Sequence, residues 1–122
     1  SVAFEDAVVG LARASGATRD GAVTISSLEA MTTAGRCRPG DVRGVVDGDI
    51  LRIGSDLAEV AIETVELMLS AGAELATIVR GVDAEDAMLA QVVDRLSSAH
   101  PGVEFVTYEG GQPLWPLIFG VE

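Results

Sequence analysis

The period at which apolar residues recur changes several times along this chain, and each change predicts an element. Between residues 3 and 14, Phe4, Val8, Leu11 and Ala12 recur at helical spacing, predicting a short helix that Gly16 ends. From residue 22 the period drops to two. Val23 and Ile25 face one way and Thr24 and Ser26 the other, which predicts a strand within residues 22–34. Gly35 to Gly40 reads as a basic loop ending in a Pro-Gly turn. Apolar runs at 42–46 and 49–53 flank Asp47-Gly48, a strong hairpin signal because a type I′ turn needs positive φ at both central positions.

A broad helical stripe follows at 56–71, where Leu57, Val60, Ala61, Thr64 and Met68 share a face widened by Ile62, Val65 and Leu69. Asp56 is placed to cap this helix, with Glu59 completing a capping-box-like pair. Gly72 ends it, and residues 75–79 form the short apolar run of a buried strand. Gly81-Val82-Asp83 reads as the cap of a second helix at 84–98, with Met88, Val92 and Leu96 inward and Leu89 and Val93 beside them. His100-Pro101-Gly102 breaks it. Residues 103–108 alternate as a strand, a Gly-Gly-Gln-Pro turn follows, and a last strand lies near 117–121.

From residue 42 onward the order is β-β-α-β-α-β-β. Strands 74–80 and 103–108 with their intervening helix form a βαβ unit, and hairpins at each end are expected to supply antiparallel edges. The expected fold is α/β (α+β): a two-layer sandwich with a mixed sheet and helices mainly on one face. At 122 residues the chain is sized for one domain, with an N-terminal helix and strand in 1–39 and the core in 40–122.

Composition then narrows the function. A hydrophobic fraction of 48% excludes disorder. No apolar run reaches the roughly 18 residues of a membrane span, and the start lacks the layout of a signal peptide. The first residue is Ser1, which fits a processed or engineered start and a piece of a longer protein. Net charge is −11, with eight arginines and no lysine. That charge argues against nucleic acid and anionic membranes and favours a basic partner protein. Without lysine there is no Schiff-base chemistry and no P-loop. One Cys (Cys37) and one His (His100) are too few for a structural zinc site, and a lone Cys fits a reducing cytoplasmic setting.

The blocks Gly-Asp-x-x-Gly-x-x-Asp-Gly-Asp-Ile (40–50), Glu74-Leu75-x-Thr77-Ile78 with Gly81-x-Asp83-Ala84, Gly110-Gly111-Gln112-Pro113-Leu114-Trp115-Pro116 and the closing Gly120-Val121-Glu122 resemble one family. It is the C-terminal region of the fatty acid kinase A proteins, also known as DAK2-domain or dihydroxyacetone-kinase-like proteins. That family usually carries Tyr where this chain has Trp115. The resemblance implies an ATP- and Mg-dependent kinase domain upstream and a middle region with a reactive Cys and metal-binding His residues. It also implies a C-terminal region of DegV-like fold that helps dock a fatty-acid-binding DegV-like subunit. On that footing this fragment is a non-catalytic interaction subdomain with no cofactor of its own. Its partners would be the rest of the parent chain together with that DegV-like protein. Alternatives are a small-molecule or lipid-binding domain using the Gly110–Trp115 loop, which predicts a closed apolar pocket there, and a dimerisation scaffold.

Candidate residues carry paired readings. Gly110, Gly111, Gln112 and Pro113 form a structural turn or a contact loop, and Trp115 is either packing or a binding hot spot. Glu59, Glu63 and Glu66 share a helical face with no Lys or Arg at i+4, and read as a solvated face or an acidic docking surface. Asp47-Gly48-Asp49 carries only a fragment of a calcium-loop pattern and reads as a hairpin turn. Cys37, between Arg36 and Arg38, is expected to be an incidental surface thiol, and His100 a helix-end cap.

Overall fold

Asp47 and Gly48 both adopt left-handed backbone, with φ of 49° and 88°, and join β4 (Val42–Val46) to β5 (Asp49–Gly54) as the sequence predicts. The computed structural model describes residues 17–122, so the helix expected at 3–14 lies outside the described residues. Upstream of the hairpin come β1 (Arg19–Ile25), β2 (Ala30–Thr32) and β3 (Gly35–Cys37). Downstream follow α1 (Leu57–Leu69), β6 (Leu75–Arg80), α2 (Asp86–Ala99), β7 (Glu104–Glu109) and β8 (Leu117–Val121).

Six strands form one mixed sheet in the order β5-β4-β1-β8-β6-β7, with β2 and β3 as a separate two-stranded ribbon. Within that sheet β6 and β7 run parallel, and the other pairs are antiparallel. The helices pack on one face: α1 lies over β1, β4, β5 and β8, and α2 packs on α1 and reaches β7. Between them and the sheet sits the main core, including Val23, Val60, Val65, Met68, Ile78, Val92, Leu96, Leu117 and Phe119. On the other face Trp115 lies against Ala22, Val79 and Ile118.

The two-layer mixed fold is therefore as the sequence predicts, but its edges are not. Strands β7 and β8 do not pair: β8 passes beyond β6 and inserts between β6 and β1, antiparallel to both. In place of the expected terminal hairpin, β7 is a parallel edge strand. The cause is visible in β8 itself, in which all five residues are buried. A strand buried on both faces is suited to the middle of a sheet, where it has neighbours on each side.

Three local readings change as well. The stretch expected as one strand and a basic loop divides into β1, β2 and β3. Ile25 ends β1 half-exposed, whereas Ser26 is buried and donates to the Leu28 carbonyl at 2.6 Å. Cys37 is fully buried rather than a surface thiol. Finally, Gly81–Asp83 forms a turn, and α2 starts later, with Glu85 at its N-cap and no side-chain cap bond. At α1 the Asp56 carboxylate does accept from the Glu59 amide at 2.9 Å, while the Glu59 side chain turns to α2.

Helix α1 approaches β4 so closely that Gly44 leaves no room for a side chain. A Cβ there would collide with Thr64 Oγ1 and lie 3.1 Å from Arg52 Cβ and 3.3 Å from Val60 Cγ1. Thr64 is fully buried and its hydroxyl donates to the Val60 carbonyl at 2.6 Å, so it cannot simply swing away. Gly44→Ala is expected to cost about 1–3 kcal/mol, read as a lower urea midpoint at unchanged m-value.

Candidate functional site

The glycine-rich loop 110–116 has to carry the chain from the end of β7 over the end of β6 into β8. Gly110 and Gly111 amides both donate to the Arg80 carbonyl, at 2.8 and 3.0 Å. The Gly81 amide donates to Pro116 O at 2.8 Å, and the Val82 amide to Gln112 O at 3.0 Å. This contact is tight enough that a Cβ on Gly81 would strike the backbone oxygens of Trp115, Gln112 and Pro116. Gln112 turns inward and is only 1% exposed. Its Nε2 donates to Val79 O at 3.1 Å and Trp115 O at 3.0 Å, so the amide substitutes for backbone pairing across the loop. The loop is therefore filled by its own side chain rather than shaped as a cradle. Gln112 Oε1 and Trp115 Nε1 are its buried polar atoms without a partner among the described residues.

At the same end of β6, Arg80 ties three segments together. Its Nε and Nη2 donate to the Ala84 carbonyl at 2.9 and 2.7 Å, while Nη1 pairs with Asp86 and lies 3.5 Å from Glu109 Oε1. The hydrogen bond it makes with Asp86 is the main reason its pKa is raised above the ordinary guanidinium value. Arg80 thus fixes the start of α2 and the end of β7 around the loop. No sequence motif announces it, because its partners are six and 29 residues away.

The three glutamates of α1 lie along a surface groove of about 490 Å³ that also includes Arg52 and Arg95. Two are paired by residues of the α2 segment: Arg95 Nη1 donates to Glu59 Oε1 at 2.8 Å, and His100 Nε2 lies 2.6 Å from Glu66 Oε2. Glu63 has no ion-pair partner among the described residues. Sequence spacing along one helix cannot reveal these cross-helix pairs.

Cys37 is the buried last residue of β3, its Sγ accepting from Arg43 Nε at 3.2 Å. Arg43 Nη2 donates to Ser26 Oγ at 2.9 Å, and the Ser26 and Gly40 amides bond to Asp41 O and Ser26 O, each at 2.8 Å. This network anchors the ribbon to the end of β1 and β4. Cys37 and His100 are thus engaged in separate places, with no shared geometry. Among the described residues, no group of three or more His, Cys, Asp or Glu is placed to hold a metal ion.

Six large apolar side chains stand exposed among the described residues: Ile25, Leu28, Met31, Val82, Tyr108 and Leu114. Strand register places them toward one end of the sheet. Ile25 ends β1 opposite Val42, and Leu28 and Met31 follow it. Val82 follows β6, Tyr108 precedes the end of β7, and Leu114 precedes β8. Leu114 is joined to β1 by the Thr24 hydroxyl, which donates to its carbonyl at 2.7 Å. It also holds φ of 71°, a left-handed conformation that costs a non-glycine residue roughly 1–2 kcal/mol. An exposed leucine at a strained position is the kind of feature that marks contact surfaces.

The family profile for the C-terminal region of fatty acid kinase A-like proteins matches residues 1–122. The chain belongs to that family. Similar proteins include those of Staphylococcus aureus strains USA300 and NCTC 8325 / PS 47, both named only as uncharacterized proteins. Each is 32% identical to this chain over 79 residues, which is 65% of the chain and 14% of the relative's length. This fatty acid kinase A-like domain therefore corresponds to a small part of those relatives. Among its described residues no helix is long and apolar enough to cross a membrane.

Proposed function

We propose that this domain is a non-catalytic docking unit of a fatty acid kinase A-like protein, engaging a fatty-acid-binding DegV-like subunit. The observation that carries the reading is the gathering of Ile25, Leu28, Met31, Val82, Tyr108 and Leu114 at one end of the sheet. Exposed apolar residues gathered in this way are a mark of interaction surfaces. Gln112 and Trp115 serve it as positioning residues, since their loop holds Leu114 and Val82 in place. Glu59, Glu63 and Glu66 border the domain on the helical side. Phosphoryl transfer, with its ATP and Mg, belongs to the parent's other regions in this reading. The filled interior of loop 110–116 favours docking over the small-molecule alternative.

The experiment is a titration of the cognate fatty-acid-binding subunit into the parent protein with and without residues 1–122. Deletion is expected to weaken binding at least tenfold while nucleotide binding by the parent persists. Equal affinity for the two forms would rule the docking role out.

A further inference from the structure

Three of the exposed apolar side chains belong to one rigid frame. Val82, 66% exposed, leaves β6 with its amide held by the carbonyl of Gln112, just ahead of Leu114 in the loop. Leu114, 63% exposed, is fixed in turn by the Thr24 hydroxyl on its own carbonyl. Tyr108, 57% exposed, stands on β7 beside Val79, against which Trp115 packs. A surface held this way has little conformational freedom left to lose when a partner covers it. The charges around it do not balance. Segments 80–86 and 108–116 carry Arg80, Asp83, Glu85, Asp86 and Glu109, a formal −3. Asp86 and Glu109 share the guanidinium of Arg80, while Asp83 and Glu85 are exposed and have no ion-pair partner among the described residues. Elsewhere the acids are met. Residues 25–41, which include Ile25, Leu28 and Met31, hold Glu29, Arg36, Arg38 and Asp41 and are neutral. On α1, Glu59 and Glu66 are paired with Arg95 and His100. An apolar patch edged by uncompensated carboxylates is complementary to an apolar patch edged by guanidinium or ammonium groups.

We infer that Val82, Tyr108 and Leu114, with Asp83 and Glu85 at their edge, form the contact by which this domain seats on an apolar patch of its protein partner rimmed by arginine or lysine. The inference rests on the docking reading above and gives it a place and a sign. Net charge favours basic partners for the chain as a whole, through long-range steering. The unpaired carboxylates beside Val82 narrow that preference to one contact, where opposite charge selects the partner and sets its register. An anionic bilayer would meet the same carboxylates and be repelled.

The test titrates the cognate fatty-acid-binding subunit into the full parent protein at low and at high salt. Val82→Ser with Leu114→Asn should weaken binding at least tenfold at both, asparagine being chosen because it tolerates the left-handed backbone at 114. Asp83→Asn with Glu85→Gln should weaken it about fivefold at low salt and leave it unchanged at high salt, where surface charges are screened. Glu63→Gln with Asp94→Asn removes the same amount of charge elsewhere and should leave affinity within about twofold at either salt. All substituted residues are exposed, and matching far-ultraviolet spectra and melting midpoints will verify that the variants fold. If the unaltered parent binds and the Val82/Leu114 and Asp83/Glu85 variants bind equally well, the placement is overturned while docking stands. If the two charge variants weaken binding alike, net charge alone acts and the carboxylate rim is overturned. If the unaltered parent does not bind the DegV-like protein, both readings fall.

Discussion

Phe119→Ala is expected to lower the unfolding free energy by about 3–5 kcal/mol, the range for emptying a fully buried aromatic site. Phe119 is 1% exposed and lies in β8 between Gly21 of β1 and Ile78 of β6, facing the core beneath the helices. The cavity would open where the two halves of the sheet meet, and β8 has no slack to close it. Domains of this size have roughly 5–15 kcal/mol in total, so about a fifth or more of the stability would go. The melting midpoint should fall by about 10–20 °C. Phe119→Leu, which keeps most of the volume, should cost less than half as much. Similar losses for the two variants would mean that the site is not tightly packed.

The second large effect belongs to Gln112→Glu, and it carries a pH dependence. In the native loop Nε2 donates to two carbonyls, of Val79 and Trp115. A protonated glutamic acid keeps one donor for that pair, whereas a carboxylate faces both oxygens with none. Burial and those oxygens would raise the introduced group's pKa above its unfolded value of about 4.3. With the folded pKa raised, the variant is least impaired below about pH 4.3 and loses stability as pH rises toward the folded pKa. The expected cost is about 1–3 kcal/mol in the protonated form, growing by about 1.4 kcal/mol per pH unit through that window. Urea unfolding of both proteins at pH 4.5 and 7.5 isolates the effect from the native carboxylates. A wild-type-to-variant gap that is the same at both pH values would contradict the buried-donor role of Gln112.

Local signals in the sequence were reliable where a few neighbouring residues decide the outcome. Asp47-Gly48 fixes its turn, Asp56 caps α1, and the stripe through Val60, Ala61, Thr64 and Met68 is the buried face of that helix. Pairing of distant strands is a different matter. The adjacency of 103–108 and 117–121 in sequence suggests a hairpin, and only the unbroken apolar run of Leu117, Ile118 and Phe119 points to a central strand. The candidate site divides the same way. Gly110 to Pro113 and Trp115 stand out as constrained residues, but the inward turn of Gln112 depends on Val79, 33 residues away. Exposure of Leu28 and Met31 was illegible for a related reason. Apolar residues in a short segment read as core, and only the sheet order shows that nothing among the described residues covers them.

The central position of β8 also bears on how the domain is made. Before β8 is in place, β5-β4-β1 and β6-β7 are two half-sheets with no backbone hydrogen bonds between them. Joining them closes contacts as long as the 103-residue separation of Thr18 and Val121, which is slow because distant segments must meet first. Until then the flanks of β1 and β6 are bare strand edges, open to pairing with other chains. During synthesis the strand that joins these halves is the last of the described elements to leave the ribosome. An interrupted or shortened product would therefore be not a slightly loosened domain but a pair of aggregation-prone ribbons.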